Sequence, residues 1–425
     1  MKFYIYTLGC KVNSYESNIM RDNLLNSGYI EGSSDDADIY IINTCTVTNT
    51  SDNKSLKVIR RVLREHPSSI IVAVGCMTQV NSSLLKDLGI SIVLGNKDKS
   101  KIVDYIEEYK KNKKRIDNID DIMNTDFEDM CLNNFNKARA FVKIEDGCEN
   151  YCSYCIIPYA RGKVRSKKPD KVISEIKTLI DQGHKEIVLT GIHTGHYNYK
   201  DCNFYELLKR IIVIKGLERL RISSIEITEI SDDIISLFKE CQVLVDHLHI
   251  PLQSGSNTIL KLMNRKYDKE YFIKRINDIR SVRPDVSITT DVIVGFPMET
   301  DELFKETIDT IKKIKFFKIH VFPFSLRRGT KAEEIPNHVD NTTKKKRVKE
   351  LINLSKNLEI EYYNRFIDQI KLFIPEKCSD GYLMGHTDNY LPIKAKGCIK
   401  YLNQLTKIKI KNIDYPYVIG EIIEK

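Results

Sequence analysis

Three cysteines in one short loop are the residues of this chain best placed to do chemistry. Cys148, Cys152 and Cys155 stand in the run DGCENYCSYC, with three residues between the first two and two between the last two. Three thiolates on one loop can bind three irons of a [4Fe–4S] cluster, which normally takes four cysteine ligands. The fourth iron would be open to another molecule, so the loop predicts a cluster that takes part in a reaction.

Two other uses of closely spaced cysteines fit this loop less well. Structural zinc needs a fourth Cys or His ligand, and the next histidine, His184, is distant in the sequence. A disulfide requires an oxidising compartment, whereas the chain leads from Met1 into a strand pattern without a secretory cleavage site. We therefore expect a cytoplasmic protein whose cysteines are ligands or buried thiols.

A second set of three cysteines lies in the first quarter of the chain. Cys10, Cys45 and Cys76 each follow a predicted strand, directly after Gly or Thr. The carboxyl ends of parallel strands meet at one edge of a sheet, where ligands bind, so we expect these thiols to meet and hold a second open cluster that carries or donates sulfur. The alternative is three unrelated buried cysteines. The remaining cysteines show no such pattern and are predicted to be structural: Cys131, Cys202, Cys241, Cys378 and Cys398.

The first segment that must position these cysteines is residues 1–115. Strand and helix patterns alternate there, which predicts a parallel sheet covered on both faces. The predicted strands are Lys2–Thr7, Asp38–Asn43, Ser69–Val74 and Ile90–Leu94, and the predicted helices are Ser14–Ser27, Ser51–Glu65, Val80–Leu88 and Lys99–Lys111. A polar stretch from Lys110 to Asp129 is predicted to be a linker or a meandering connection.

The second segment, residues 135–365, repeats the alternation six times, which predicts a partial (β/α)6 barrel. Barrel active sites lie at the carboxyl ends of the strands, and the three-cysteine loop follows the first strand, as this rule requires. The predicted strands are Ala140–Ile144, Glu186–Thr190, Arg219–Ser223, His247–Ile250, Ser287–Val294 and Lys318–Phe322. The predicted helices include Pro169–Gln182, Lys269–Val282, Asp301–Lys313 and a long one from about Asn341 to Phe366.

The third segment, residues 367–425, contains short strand patterns with Gly and Asp turns, which predicts a small all-β barrel. Between Tyr390 and Ile413 it has no acidic residue and six lysines: Lys394, Lys396, Lys400, Lys407, Lys409 and Lys411. Such a run is often only a solvated face. With Tyr390 and Tyr401 interleaved, it predicts a nucleic-acid surface. The net charge of +9 permits an anionic partner such as RNA, and the apolar runs are too short to span a membrane.

Several motifs, in order along the chain, resemble those of the methylthiotransferases of the radical S-adenosylmethionine (SAM) superfamily. They are TLGCKVN at 7–13, NTCTVT at 43–48, GCM at 75–77, CSYCIIPYARG at 152–162, HIPLQSGS at 249–256 and DVIVGFP at 291–297. The resemblance implies an amino-terminal cluster domain, a radical SAM partial barrel and a carboxy-terminal TRAM domain. It also implies two [4Fe–4S] clusters, one held by Cys10, Cys45 and Cys76 and the other by Cys148, Cys152 and Cys155.

The same resemblance implies the reaction and its partners. SAM would occupy the open iron of the second-segment cluster and yield methionine and a 5′-deoxyadenosyl radical. Another SAM would methylate a sulfur associated with the other cluster, and a methylthio group would replace hydrogen at an unactivated C–H bond. Such chemistry belongs to the cofactors. The implied partners are the anticodon loop of tRNA and a reducing electron donor such as flavodoxin or ferredoxin, with no membrane.

Contacts to SAM beyond the cluster are predicted from strand ends and from the resemblance. The candidates are Tyr154, Thr190, Gly191, Gln253, Gly295 and Phe296. Turn geometry and barrel packing would explain most of these residues equally well. His193 and His196 receive no role. Met298 stands where the family usually has glycine, in a loop that would lie near the SAM adenine.

The run Lys11-Val12-Asn13 resembles the branch of the family that acts on N6-threonylcarbamoyladenosine at position 37 of tRNA. The branch that acts on isopentenyladenosine in tRNA typically has Gln-Met-Asn there, and the branch that acts on a ribosomal-protein aspartate has Pro-Lys-Asn. Both branches are alternative expectations. A third alternative is a tRNA-binding iron–sulfur protein without enzymatic activity.

Overall fold

The computed structural model of this protein describes residues 1–132, 135 and 138–423. The predicted second and third segments also include residues 136, 137, 424 and 425, which lie outside the described residues. Within the described ranges, no helix combines the length and apolar character that a membrane span needs.

The amino-terminal domain contains a sheet of six parallel strands, as predicted in kind. In spatial order the strands are Ile30–Glu31, Lys2–Thr7, Ile39–Thr44, Ile70–Gly75, Ile92–Leu94 and Ile116–Asn118. Every residue of Ile39–Thr44 and Ile70–Gly75 is buried, because helices cover both faces of the sheet. The helices are Lys11–Asn26, Asn49–Glu65, Cys76–Asn81 and Ile102–Asn112.

Two predictions for this domain were wrong in detail. The helix predicted over Val80–Leu88 begins at Cys76 and ends at Asn81, and a 3₁₀ turn follows over Ser82–Leu85, because serine side chains compete with the helical backbone. The polar connection after Lys110 contains a sixth strand, Ile116–Asn118, so the sheet continues past the boundary predicted at residue 115. Edge strands are often short and charged. Such a strand has no run of apolar residues by which the sequence could reveal it.

The second segment forms a partial barrel of six parallel strands in two sets of three. The first set is Arg139–Lys143, Glu186–Thr190 and Arg219–Ile222, and the second is His247–His249, Ser287–Val294 and Lys318–Pro323. A bridge between Leu220 and Leu244 joins the sets. The main helices are Ile157–Arg161, Pro169–Asp181, Phe204–Ile212, Asp232–Glu240, Asn257–Leu262, Lys269–Val282, Asp301–Ile314 and Asn341–Asn364.

The third segment is a closed five-stranded barrel, which confirms the prediction of a small all-β domain. Around the barrel the strands are Ile370–Ser379, Tyr382–Thr387, Pro392–Lys396, Tyr417–Ile422 and Thr406–Asp414. Alternate residues point inward, and Phe373, Leu383, Ile393 and Ile408 form the core.

Contacts of buried side chains join the three domains. Tyr15, on the first helix of the amino-terminal domain, packs in the core of the partial barrel, and its hydroxyl is 2.9 Å from the Glu175 carboxylate. On the other side, the ring of Tyr390 from the terminal barrel stacks on His247 with centroids 4.5 Å apart. The space inside the partial barrel is therefore bordered by all three domains.

Candidate metal centres

The loop that carries Cys148, Cys152 and Cys155 follows the first strand of the partial barrel. Backbone hydrogen bonds fix its conformation. The amide of Cys148 donates to the carbonyl of Gly162 at 3.0 Å, and the amide of Cys155 donates to that of Cys152 at 2.9 Å. Gly147 has φ +91°, and a Cβ there would lie 1.9 Å from the Lys163 carbonyl oxygen. Only glycine fits this turn.

Polar groups surround the three thiols. Nη1 of Arg265 lies 3.4 Å from Sγ of Cys152, and Nδ1 of His193 lies 3.7 Å from Sγ of Cys148. Burial raises the pKa of the Cys155 thiol to about 12. Because metals bind the thiolate, this thiol needs a strong positive charge, such as that of bound iron, to ionise near neutral pH.

By ligand type, three thiols suit either an iron–sulfur cluster or a zinc ion. Sulfur ligands about 2.3 Å from a tetrahedral zinc lie about 3.8 Å from one another. Within the described part of the chain, neither cysteine set brings its three sulfurs within 4.8 Å of one another. Beside the loop, Oε1 of the buried Glu145 has no hydrogen-bond partner among the described residues, which leaves an acceptor for a bound ligand.

The structure brings the second set of cysteines together, as the strand-end argument predicted. Cys10, Cys45 and Cys76 follow three adjacent parallel strands of the amino-terminal sheet. Burial raises the pKa of the Cys45 thiol, and the nearby thiols of Cys76 and Cys10 add to the shift. Gly9 has φ +100°, and a Cβ there would lie 2.8 Å from Sγ of Cys45, so this turn also requires glycine.

A buried charge network lies between the two cysteine sets, and no sequence pattern indicated it. Nε of Arg161 lies 3.2 Å from Sγ of Cys76. The same guanidinium donates to Glu16 at 3.1 Å and to Asp146 at 3.3 Å. Asp146 lies two residues before Cys148. The Arg161 side chain therefore contacts Cys76 on one side and, on the other, the strand end that leads into the Cys148 loop. Arg161 lies within the motif at 152–162, but nothing in the sequence pairs it with Glu16.

Glu16 and Arg161 are both fully buried. Lys143 donates to Glu16 at 2.8 Å and to Asp146 at 2.6 Å, and Lys99 also pairs with Glu16. Burial acts to raise the pKa of Glu16, but the positive charges of Arg161, Lys143 and Lys99 hold it well below its usual range. The network therefore carries full charges in the interior.

The six residues predicted to contact SAM lie near the carboxyl end of the partial barrel. Thr190 is buried at the end of its strand, and a Cβ at Gly191 would lie 2.6 Å from Oε2 of Glu145. The other four are Tyr154, Gln253, Gly295 and Phe296. The ring of Tyr154 meets the edge of the fully buried Phe296 ring with centroids 6.5 Å apart. Their role in binding SAM stays a prediction.

Two histidines without a predicted role lie beside the Cys148 loop. The rings of His193 and His196 have centroids 3.7 Å apart. Both approach the carboxylate of Glu229, His196 at 3.3 Å. His249, Asp291 and His320 form a similar group inside the partial barrel, with ligand atoms within 4.8 Å of one another. Sequence spacing brings His193 and His196 together but not Glu229. It could not have found the second group, whose members lie on three different strands.

The terminal barrel carries a cavity of about 730 Å³ in the predicted nucleic-acid surface. Four of the six lysines line it, and two tyrosines accompany them: Lys394, Lys396, Lys400, Lys411, Tyr382 and Tyr401. Lys407 and Lys409 do not line this cavity. The lysine-rich run is thus divided between a groove and another face.

Two family models match the chain. The first, described as the radical SAM superfamily, matches residues 142–311, and the second, described as uncharacterized protein family UPF0004, matches residues 2–95. The radical SAM methyltransferase TsrM of Kitasatospora setae has a similar fold, with a TM-score of 0.57 and 13% identity over 76% of this chain and 72% of that chain. Together with the three-cysteine loop, these matches define a radical SAM protein, a class that implies binding of SAM and a [4Fe–4S] cluster.

Curated relatives match over nearly the whole length. The threonylcarbamoyladenosine tRNA methylthiotransferase MtaB of Bacillus subtilis is 42% identical over 98% of this chain and 95% of its own. MtaB of Aquifex aeolicus is 37% identical over 96% and 100%. A tRNA-2-methylthio-N(6)-dimethylallyladenosine synthase of Clostridium botulinum is 33% identical over 99% and 97%. The chain belongs to the methylthiotransferase family.

Proposed function

We propose that this protein transfers a methylthio group to C2 of N6-threonylcarbamoyladenosine at position 37 of tRNA. One observation carries the proposal: the buried side chain of Arg161 contacts Cys76 of one three-cysteine set and Asp146, two residues before Cys148 of the other. A radical SAM enzyme needs only one such site for SAM. A second three-cysteine set, linked to the first through the contacts of Arg161, supports a reaction that also delivers sulfur. Relatives with 42% and 37% identity act on threonylcarbamoyladenosine by name.

Each cysteine set would hold one [4Fe–4S] cluster with an open iron. Cys148, Cys152 and Cys155 would hold the cluster that binds SAM, and the set around Cys45 would hold the auxiliary one. When bound, the first cluster and SAM supply a radical able to remove hydrogen from an unactivated C–H bond. The chain's own part is to hold the ligands rigidly, and the short buried contacts of Arg161 serve this role.

SAM would lie across the carboxyl ends of the strands. Thr190 and Gly191 would border its methionine part, and Gln253 and Gly295 would shape the loops beside it. Tyr154 and Phe296 would back the adenine side. The buried carboxylate of Glu145 has one oxygen, Oε1, without a hydrogen-bond partner among the described residues. Its other oxygen lies beside Gly191, 2.6 Å from where a Cβ there would be.

The anticodon loop of tRNA would approach along the terminal barrel. Lys394, Lys396 and Lys400 line a groove with Tyr382 and Tyr401. Lysines that follow a phosphate backbone and rings that accept stacked bases are the usual means of binding single-stranded RNA. A reducing partner such as flavodoxin or ferredoxin would supply electrons in the cytoplasm.

The test is mass spectrometry of tRNA nucleosides from cells with the gene, without it, and complemented with either the wild type or Cys152→Ala. We expect the 2-methylthio form of threonylcarbamoyladenosine to disappear without the gene and to return only with the wild type. If that nucleoside is unchanged and the methylthio form of dimethylallyladenosine is lost, the substrate assignment is wrong and the reaction stands. If no methylthio nucleoside changes, the proposed function fails.

A further inference from the structure

A cavity of about 320 Å³ lies inside the partial barrel where the three domains meet. The amino-terminal domain contributes Lys11, the partial barrel contributes Arg139, Arg221 and His247, and the terminal barrel contributes Tyr390. The volume is in the usual range for small-ligand pockets. Because all three domains supply walls, this cavity exists only in the complete chain.

Among the described residues that line the cavity, every lysine and arginine except Lys11 has a carboxylate partner. Arg139 is paired with Glu376 at 3.0 Å, and Arg221 with Glu186 at 2.6 Å. Lys318, also in the wall, is 3.3 Å from Glu359.

Lys11 differs from these paired cations. No ion pair or hydrogen bond of its side chain occurs within residues 1–132, 135 and 138–423. It is the first residue of the helix Lys11–Asn26, and the partial positive charge of a helix amino terminus favours an anion at this end. The surroundings therefore suit a ligand with one negative charge.

The other walls suit a flat, partly apolar molecule. Phe141 and Phe317 line the cavity together with Tyr390. Tyr390 is held in place because its ring stacks on His247 and on His386, each with centroids 4.5 Å apart. A cation among fixed aromatic rings is a suitable receptor for a nucleobase with an acidic substituent.

The cavity also lies close to one of the two cysteine sets. Lys11 directly follows Cys10. The cavity extends along the barrel strands, with His249 at a carboxyl end and Lys318 at an amino end. A substituent held at Lys11 would lie one residue along the chain from Cys10 of the amino-terminal cysteine set.

We propose that this cavity binds the substituent of the target base and that Lys11 pairs with its carboxylate. The inference rests on the proposed function. A threonylcarbamoyl group has a free carboxylate, whereas a dimethylallyl group is a hydrocarbon that would leave the ammonium unpaired and desolvated. Sites built around a charged partner reject a substrate that lacks it far better than apolar pockets reject an added group. Lys11 is thus a specificity-determining residue.

The experiment compares two stem-loop RNAs that differ only at the substituent. One has threonylcarbamoyladenosine at position 37, and the other has the same group as its neutral carboxamide. Cluster-reconstituted wild type, Lys11→Met and Lys11→Arg are assayed for methylthiolation. Lys11→Met should lower the ratio of kcat/KM for the acid over the amide by about 10- to 100-fold, and Lys11→Arg should retain most of that ratio.

The ratio separates recognition from damage to the neighbouring Cys10 site, since a damaged cluster lowers kcat/KM for both RNAs equally. If Lys11→Met leaves the ratio of kcat/KM for the two RNAs unchanged, the assignment is overturned, whether or not both values fall. Lys318→Met is the matched control from the same cavity, and a smaller change in the ratio is expected because Lys318 already has a carboxylate partner. If the wild type methylthiolates neither RNA, the proposed function fails and not this inference alone.

Discussion

Nε of Arg161 lies 3.2 Å from the sulfur of Cys76 although the two residues belong to different domains. Arg161 follows the three-cysteine loop by six residues, and its guanidinium also contacts Glu16 and Asp146. A planar guanidinium fixes several partners in one geometry. The distance between the two candidate clusters is therefore set by a rigid side chain as well as by the docking of two domains.

Arg161→Met should destabilise the protein by about 3–5 kcal/mol, because removal of one partner leaves buried charge uncompensated. Glu16 and Asp146 would keep Lys143 as a partner, so the lower end of that range is expected. Urea unfolding gives the free energy of unfolding. Arg64→Met is the control: that side chain is 74% exposed, and surface changes usually stay within about 0.5 kcal/mol. Equal values for the two variants would contradict a structural role for the network.

The two cysteine sets should respond differently to substitution. Cys148→Ala should abolish SAM cleavage by the reconstituted, reduced protein, whereas Cys76→Ala should leave SAM cleavage measurable and stop methylthiolation. Each should lose about half of the bound iron, since each set would hold one four-iron cluster. Cys398→Ala is the matched control, because this exposed cysteine belongs to neither set. Normal methylthiolation by Cys76→Ala would show that the amino-terminal cysteines are structural.

The lysines of the terminal barrel allow a test within one domain. Neutralising Lys394, Lys396 and Lys400 to Gln should weaken tRNA binding and reduce the steepness of its salt dependence by about 2–3 units of log–log slope. Lys407 and Lys409 lie outside the groove, and the same change there should have less effect. Titration of tRNA at several salt concentrations measures both. Equal effects of the two sets would mean that the groove has no special part in binding.

The placement of the amino-terminal cysteines at one sheet edge could be predicted from the sequence for a physical reason. Parallel strands bring their carboxyl ends to one edge, so Cys10, Cys45 and Cys76 could be placed together from strand patterns alone. The contact between Arg161 and Glu16 could not, because the two residues are far apart in the chain and meet only through domain docking. The lack of a partner for Lys11 within the described residues was hidden likewise, since it depends on which carboxylates the fold brings near that side chain.

The contact between the partial barrel and the terminal barrel should depend on pH through Glu376. Its carboxylate is 3.0 Å from Arg139 and 2.6 Å from His386. Burial acts to raise the pKa of Glu376, but the hydrogen bond from His386 and the charge of Arg139 outweigh it and lower the pKa. A group with a lowered pKa in the folded state stabilises that state above the unfolded pKa of about 4.3, and the effect is lost as pH falls through the folded value.

Glu376→Gln should therefore be less stable than the wild type at pH 7, by about 1–2 kcal/mol, and the difference should shrink as pH falls below about 4. Urea unfolding at a series of pH values measures it. Glu361→Gln is the control, because Glu361 forms an exposed pair with Lys315, and its effect should be small at every pH. A difference for Glu376→Gln that persists at low pH would assign it to packing instead of charge.

The resemblance to the family implies glycine at the position of Met298. Its φ is 69°, in the left-handed region, and its amide donates to the carbonyl of Asn337 at 3.0 Å. This conformation costs a residue with a Cβ about 1–2 kcal/mol, whereas glycine adopts it freely but loses about 0.5–1 kcal/mol of unfolded-state entropy. Met298→Gly should thus raise the free energy of unfolding by up to about 1 kcal/mol.

Met298→Ala separates the backbone from the side chain. The side chain of Met298 is 40% exposed, so its truncation removes little packing, and alanine keeps the Cβ that the left-handed conformation disfavours. Alanine should therefore give no gain in the free energy of unfolding. If the free energy of unfolding rises with Met298→Gly but not with Met298→Ala, the cost of methionine at this position lies in the backbone of the loop after Gly295. Equal effects of the two substitutions would assign it to the methionine side chain, whose sulfur lies 3.6 Å from Nδ2 of Asn337.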